Sequence, residues 1–252
     1  MTRLDQLLVS QGLVSSRTRA QRLIRHGRVY LAEGTTPLTK PSEKWPVETS
    51  FYVAPDPEER YVSRAGLKLE AVLNALTLRL DGLNVLDVGQ STGGFSDCAL
   101  HFGARHVIGV EVGHGQLDAR LRGDPRITCL EGINGRAMSA DNALQRALAK
   151  HPIDVAVMDV SFISQTLILP EIAALLPGGG RLISLVKPQF ELTPKALDKR
   201  GVVRNPAHYQ QVEERLHKTC QALGLVITHW QISPITGGDG NHEFLLYAQK
   251  TV

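Results

Sequence analysis

Apolar residues recur along the chain in two rhythms, and the change from one to the other divides it. In the first thirty or so positions the rhythm is helical. Leu4, Leu7 and Leu8 share one face, with Gly12 as a stop. Ala20, Leu23 and Ile24 lie on one face of a second helix over residues 17–26, with Ser16 as its N-cap and Gly27 as its stop. A short apolar run, Val29-Tyr-Leu31, follows. Beyond Pro41, Pro46, Pro55 and Pro57 the rhythm becomes apolar runs of strand length separated by helical stretches. The pattern predicts strands over residues 85–88, 107–111, 127–130, 155–160, 181–186, 225–233 and 243–249. Helices are predicted over 69–76, 140–150, 163–176 and 207–223. Such alternation builds an α/β domain around a parallel sheet. The last two strands are too close in sequence for a helical crossover, so they are expected to pair antiparallel. The division places one domain at residues 1–54, a Pro- and acid-rich linker at 55–62, and a second domain at 63–252.

The first strand of the second domain runs into Val85-Leu-Asp-Val-Gly-Gln-Ser-Thr-Gly-Gly-Phe-Ser-Asp97. A strand, a tight turn and a helix start in that order seat a nucleotide-like ligand at the edge of a parallel sheet. Gly89, Gly93 and Gly94 allow a close backbone approach. Asp87, Gln90, Ser91, Thr92 and Phe95 complete the stretch as candidate ligand-binding positions. Glu111, 24 residues after Asp87 and followed by Val112, ends the next strand, where an acid typically holds ribose hydroxyls. A generic βαβ unit would also use the glycines for turns alone, but the pairing with Glu111 favours a nucleoside site.

Ligands and reactive groups gather at the carboxyl ends of strands in such sheets. Two ends carry charge here: Met158-Asp159-Val-Ser-Phe and Leu185-Val-Lys187-Pro-Gln-Phe-Glu191. A charge directly after a buried apolar run needs a partner or a substrate. Pro188 keeps the strand end before it extended. The last strand opens with Gly237-Gly-Asp-Gly-Asn-His-Glu243, a loop that delivers a further acid to the same edge. Lys68 is expected at the start of helix 69–76, where the helix dipole disfavours a cation. A salt bridge without a catalytic role remains the alternative for Asp159 and Lys187.

Composition excludes some classes and leaves others. With 42% hydrophobic and 21% charged residues, the chain reads as soluble and globular. No apolar run approaches the length of a membrane span, and Met1-Thr-Arg-Leu-Asp lacks the apolar core of a signal peptide. Cys98, Cys129 and Cys220 are scattered without metal-ligand spacing, so no metal site is expected and a reducing cytoplasm is. Charge is uneven: residues 1–50 carry a net +4 and the remainder a net −1. Arg17, Arg19, Arg22 and Arg25 occupy one side of the second helix with no acid among them, and Arg3 and Arg28 flank the two helices. Such a face suits a phosphate backbone. A merely solvated charged face is the other reading.

The order of helix, basic helix, His26-Gly-Arg-Val29 and small strands resembles the αL RNA-binding motif, a small α+β module. Lys68, Asp159, Lys187 and Glu243 match the Lys-Asp-Lys-Glu tetrad of FtsJ-like ribose 2′-O-methyltransferases. The words Ser63-Arg-Ala-Gly-Leu-Lys-Leu69, Asp87-Val-Gly-Gln-Ser-Thr-Gly-Gly-Phe95, Asp159-Val-Ser-Phe-Ile163 and Val186-Lys-Pro-Gln-Phe-Glu191 are similar to the TlyA branch, often called hemolysins. The resemblance covers essentially the whole chain. It implies a class I, Rossmann-like methyltransferase with a seven-stranded sheet ending in an antiparallel hairpin. It further implies S-adenosylmethionine as cofactor and 2′-O-methylation of cytidine in ribosomal RNA or ribosomal subunits. By the same resemblance Lys187 takes the proton of the ribose hydroxyl, with Lys68 as the nearby cation. Asp159 orients Lys187 and the donor, and Glu243 positions Lys68 or the ribose. Gln90 replaces a small residue, usually Ala, Glu111 replaces the more usual Asp, and His114 stands where Tyr is common. Gln90 would therefore crowd the donor pocket or add a hydrogen bond to it. Asn134 and Arg136 match a region near the adenine or the RNA. Two rivals remain: an RNA- or ribosome-binding factor with an inactive methyltransferase domain, and a membrane-active cytolysin.

Overall fold

The computed structural model of the chain describes residues 1–237 and 240–251. Gly238, Asp239 and Val252 lie outside the described residues, so the loop before Glu243 is described only at its two ends. The chain divides into two compact units, Met1–Arg60 and Tyr61–Val252.

The first unit contains β1 (Thr2–Arg3), α1 (Leu4–Ser10), α2 (Arg17–Arg25), β2 (Val29–Leu31), β3 (Lys44–Trp45) and β4 (Phe51–Val53). β1 pairs antiparallel with β3, and β2 with β4. The helical stripes are what close its core: Leu4, Leu7, Leu8, Ala20, Leu23 and Ile24 are each no more than 1% exposed. Ser16 Oγ accepts the amide of Arg19 at 3.2 Å, capping α2 where its sequence ranks it. Gly12 and Gly27, with φ of +72° and +64°, end the two helices in the left-handed conformation that glycine adopts without strain. Residues read as linker fold back within this unit. Asp56 caps a 3-10 turn at Pro57–Glu59, accepting the Glu58 amide at 3.0 Å, and lies 3.1 Å from His26.

The second unit runs α3 (Ala65–Ala75), β5 (Asn84–Val88), α4 (Gly94–His101), β6 (His106–Glu111), α5 (Ala119–Arg122), β7 (Ile127–Glu131), α6 (Asn142–Lys150) and β8 (Val155–Met158). It continues with α7 (Leu169–Leu175), β9 (Arg181–Val186), α8 (Pro188–Glu191), α9 (Pro206–Ala222), β10 (Leu225–Ile232) and β11 (Phe244–Lys250). The seven strands form one sheet in the order β10-β11-β9-β8-β5-β6-β7. β5 through β9 pair parallel; β11 runs antiparallel to both β9 and β10. The strand order reverses between β5 and β8, which opens a crevice at their carboxyl ends. Strand alternation fills both faces. Leu86 and Val88 enter one core with Ile108, Val110 and Met158, while Val85 enters the other with Leu69, Val72 and Val107.

Two helices differ from expectation. Residues 163–176 do not form one helix: a 3-10 turn at Gln165–Leu167 precedes α7, whose second residue is Pro170. A proline ring clashes with the carbonyl four residues back, so it belongs in a first turn and cannot sit inside a helix. α3 starts at Ala65 rather than Leu69. Lys68 is thus its fourth residue, still within the first turn. Gly66 makes the early start possible, because a Cβ there would lie 2.5 Å from the Tyr61 ring.

Candidate active site

β8 and β9 lie side by side and bring their carboxyl ends together, so the charges that follow them meet. Lys187 Nζ is 2.5 Å from Asp159 Oδ1 and donates to Ser161 Oγ at 2.9 Å. The turns beyond both residues are tied by one carboxylate. Glu191 in α8 accepts the Gln165 amide at 2.7 Å and Ser164 Oγ at 2.6 Å. That acid holds the segment after Asp159 against the segment after Lys187. α3 supplies the second pair: Lys68 Nζ is 2.5 Å from Glu243 Oε2, at the start of β11, which neighbours β9. Glu243 is 3% exposed, and burial pushes its carboxyl up against the opposing pull of Lys68. The charges of Lys187 and Asp159 also act on Glu243, so the two pairs share one electrostatic environment.

Beside these pairs a cleft of about 580 Å³ opens at the crevice. Gly89, Ser91, Glu111, Val112 and Asp159 line it together with Asn134 and Arg136. Val88, Ile133 and Ile168 give it apolar walls. Glu111 Oε1 accepts the Gly113 amide and Oε2 the Ser91 amide, both at 2.8 Å. Its carboxylate is therefore aimed and held before any ligand arrives. Gln90, Thr92, Gly94 and Phe95 border a smaller adjoining recess with Ser63 and Asp159. Asp87 and Gly93 border neither. Asp87 is fully buried behind the turn, and burial pushes its carboxyl up to about 7, with the charges of Asp159 and Glu111 acting in the same direction and a Ser96 hydrogen bond against them. Gly93, at φ +92°, makes the turn into α4, with Leu117 and Leu121 packed where a Cβ would be.

The crowding expected of Gln90 does not occur through its side chain. The residue is 3% exposed, and its amide is turned towards Gly109 and Ser96 inside the domain. Several cleft residues escaped the sequence reading: Gln116, Ile133, Ser161, Phe162 and Ile168. Ser161 and Phe162 lie within Asp159-Val-Ser-Phe-Ile163, and their spacing from Asp159 is the signal that the sequence carries. Phe162 is unusual twice over, 90% exposed and at φ +63°, with its ring centroid 4.9 Å from that of Phe190.

In the first unit the basic face is not free of acid. Arg19 and Arg22 both pair with Glu59. Arg17 and Arg3 both pair with Asp5, at 2.9 and 3.0 Å. Burial would push the Asp5 carboxyl up, but hydrogen bonds from Arg3, Gln21 and Arg17 hold it well below the usual range. Arg25 is exposed, and Arg28 is half-buried. No acid in α2 itself was needed for this pairing; the acids come from α1 and from residue 59.

Among the described residues no His, Cys, Asp or Glu group is placed to hold a metal ion, and no helix is long and apolar enough to cross a membrane. Comparison with known proteins agrees with the division seen here. Residues 61–250 match the FtsJ-like methyltransferase family, and residues 2–33 match the S4 domain. A presumed rRNA methyltransferase, YqxC of Bacillus subtilis, is 43% identical over 97% of this chain and 84% of its own. The 16S/23S rRNA (cytidine-2′-O)-methyltransferase TlyA of Mycobacterium tuberculosis is 36% identical over 97% of this chain and 88% of its own. The solved structure of a presumed hemolysin from Streptococcus thermophilus superposes with a TM-score of 0.74 at 37% identity, covering 99% of this chain and 88% of that one. With a methyltransferase sheet, an S4 module and relatives alike over nearly their whole length, the chain belongs to the FtsJ-like methyltransferases, in the branch that contains TlyA.

Proposed function

We propose that the protein transfers the methyl group of S-adenosylmethionine to the ribose 2′-oxygen of a cytidine in ribosomal RNA. The observation that carries this reading is the Lys187–Asp159 pair at the rim of the cleft that Glu111 closes. The cleft fits an adenosyl group: it has an acid aimed at one side, apolar walls, and a volume within the range of small-molecule sites. Glu111 would hold the ribose of the donor, and Val112 and Ile133 would flank its base. Gly89 and Ser91 would approach it with backbone. When bound, the donor supplies an electrophilic methyl on a sulfonium and leaves as the neutral sulfide.

The remaining chemistry falls to side chains. A ribose hydroxyl is a very weak acid, so its proton must leave as the oxygen attacks. Lys187, in its neutral form, accepts that proton at Nζ. Asp159, through its charge, and Ser161, by accepting from it, fix the position of Nζ, and both border the cleft. Fixing the nitrogen keeps the oxygen in line with the methyl. Lys68, held by Glu243, places a positive charge near the reacting oxygen as it becomes anionic. The S4 module would dock on structured rRNA through phosphate contacts, and the modified nucleotide would be turned out of its stack to reach the cleft. Such a substrate places the enzyme in the cytoplasm.

Incubation with methyl-labelled S-adenosylmethionine and ribosomal subunits from a strain lacking the gene tests the reading. Label on a cytidine 2′-oxygen with the wild type, lost with Lys187→Ala, is the expected result. Donor and RNA binding without any label would overturn it and favour an RNA-binding factor with an inactive domain.

A further inference from the structure

Gln90 sits between two residues in the left-handed region, Gly89 at φ +83° and Ser91 at φ +48°. A non-glycine residue at positive φ is strained, so something must hold Ser91 there. The main chain contributes part of the restraint. The Gly89 and Gln90 amides both donate to the Val110 carbonyl, at 2.9 and 3.2 Å, and the Ser91 amide donates to Glu111. Ser91 Oγ also donates to Gln116 Oε1 at 3.2 Å, and the Gly93 amide donates to the Gln90 carbonyl at 2.8 Å. The Gln90 side chain adds a further tie. It lies over Gly109 in the middle of β6, where an added Cβ would be 2.0 Å from Gln90 Cδ. Gly109 has no positive φ to explain it, in a strand otherwise filled by Val107, Ile108 and Val110. A glycine inside a strand marks a close approach, and what approaches here is Gln90. From that seat Gln90 Nε2 donates to Ser96 Oγ at 2.8 Å, and Ser96 Oγ donates to Asp87 Oδ2 at 2.6 Å. Gln90, Ser96 and Asp87 are all buried. The side chain therefore joins the turn to the strand that ends in Glu111 and to the helix that the glycine pair opens.

We infer that Gln90 is a positioning residue for the methyl donor, one that sets donor affinity by locking the strained turn at Gly89–Ser91 onto Gly109 and Ser96. It rests on the reading of the cleft as a donor site. It also makes Gln90 and Gly109 a matched pair: the large side chain at one position requires its absence at the other.

Calorimetric binding of S-adenosylhomocysteine to the full chain, with steady-state methylation kinetics, tests this. Gln90→Ala should weaken the nucleoside and raise the donor KM by roughly tenfold, the scale of one buried hydrogen bond. It should leave kcat at saturating donor and the KM for rRNA within about twofold. Gln90→Met, which restores bulk without the amide, should fold like the wild type and keep part of the donor defect. Gly109→Ala should be damaging alone and harmless when added to Gln90→Ala. If both Gln90 variants bind the nucleoside as the wild type does, well below their melting temperatures, the side chain is structural only and the inference falls. If Gly109→Ala is harmless beside Gln90, the matched pair falls. If the wild type itself binds no nucleoside, the donor reading fails first and takes this inference with it.

Discussion

A Cβ built on Gly89 would lie 2.5 Å from the carbonyl oxygen of Asp159, so the Gly89–Ser91 turn and the acid beside Lys187 are in backbone contact. The two parts of the site are thus set against each other by main chain rather than by adjustable side chains. Gly89 also has φ +83°, so any substitution there is strained twice. Gly89→Ala is expected to cost about 1–3 kcal/mol of stability and to impair nucleoside binding in the variant that remains folded. Urea denaturation and calorimetry on the same protein check both.

Lys187 and Lys68 should separate by assay. Lys187→Ala is expected to lower methylation by about 10²–10⁴-fold, the usual contribution of a general base, with donor affinity retained. Lys68→Ala leaves Glu243 buried without its cation. It should therefore also lower the melting temperature, which Lys187→Ala should do less, because the Asp159 carboxylate it leaves is more exposed than that of Glu243. Activity and thermal melts of the two variants side by side decide it.

Asp87 gives a pH dependence with a definite sign. Its carboxyl is pushed up to about 7 in the folded protein, mainly by burial. The folded state therefore binds the proton more tightly than the unfolded state, whose Asp titrates near 3.9. The linked stability is fully present below the unfolded value and is lost as pH rises from there towards 7. The slope is at most about 1.4 kcal/mol per pH unit. Asp87→Asn should flatten it. Urea unfolding of both proteins between pH 4 and 8 measures the difference, and a parallel pH dependence would refute the assignment.

Glu59 occupies the guanidinium groups of Arg19 and Arg22 that an RNA phosphate would use. The Arg19 hydrogen bond, with Arg22, holds its carboxyl below the usual range despite partial burial. Glu59→Gln should tighten binding of an rRNA fragment several-fold at low salt, with a steeper salt dependence as two more cations reach phosphate. Stability should change by no more than about 1 kcal/mol, because these pairs are solvent-accessible. Filter binding across a salt series would show it.

Phe162 presents a ring to solvent at the rim of the cleft, packed against Phe190. Such a ring suits a nucleobase turned out of its stack. Phe162→Ala should raise the KM for rRNA or lower kcat by an amount equivalent to roughly 1–3 kcal/mol, without changing donor affinity or melting temperature. Loss of donor binding instead would make Phe162 part of the adenosyl wall.

What the sequence by itself determined is what depends on near neighbours. The alternation in Val85–Val88 fixes a strand because side chains there point to opposite faces, and the Ser16 cap and the Gly27 stop act within one turn. The Lys-Asp-Lys-Glu residues were legible as motif words for the same reason, each being a short local pattern. Tertiary structure decided which charge meets which. Lys68 and Glu243, 175 residues apart, meet because β11 inserts between β10 and β9, an order that no local period encodes. It decided that Arg17, Arg19 and Arg22 of α2 face Asp5 and Glu59, since a helix can be free of acids and still be packed against them. It also decided that Gln90 points inward: the space it occupies is made by Gly109, on a neighbouring strand, and a void contributed by one strand to another has no signature in either alone.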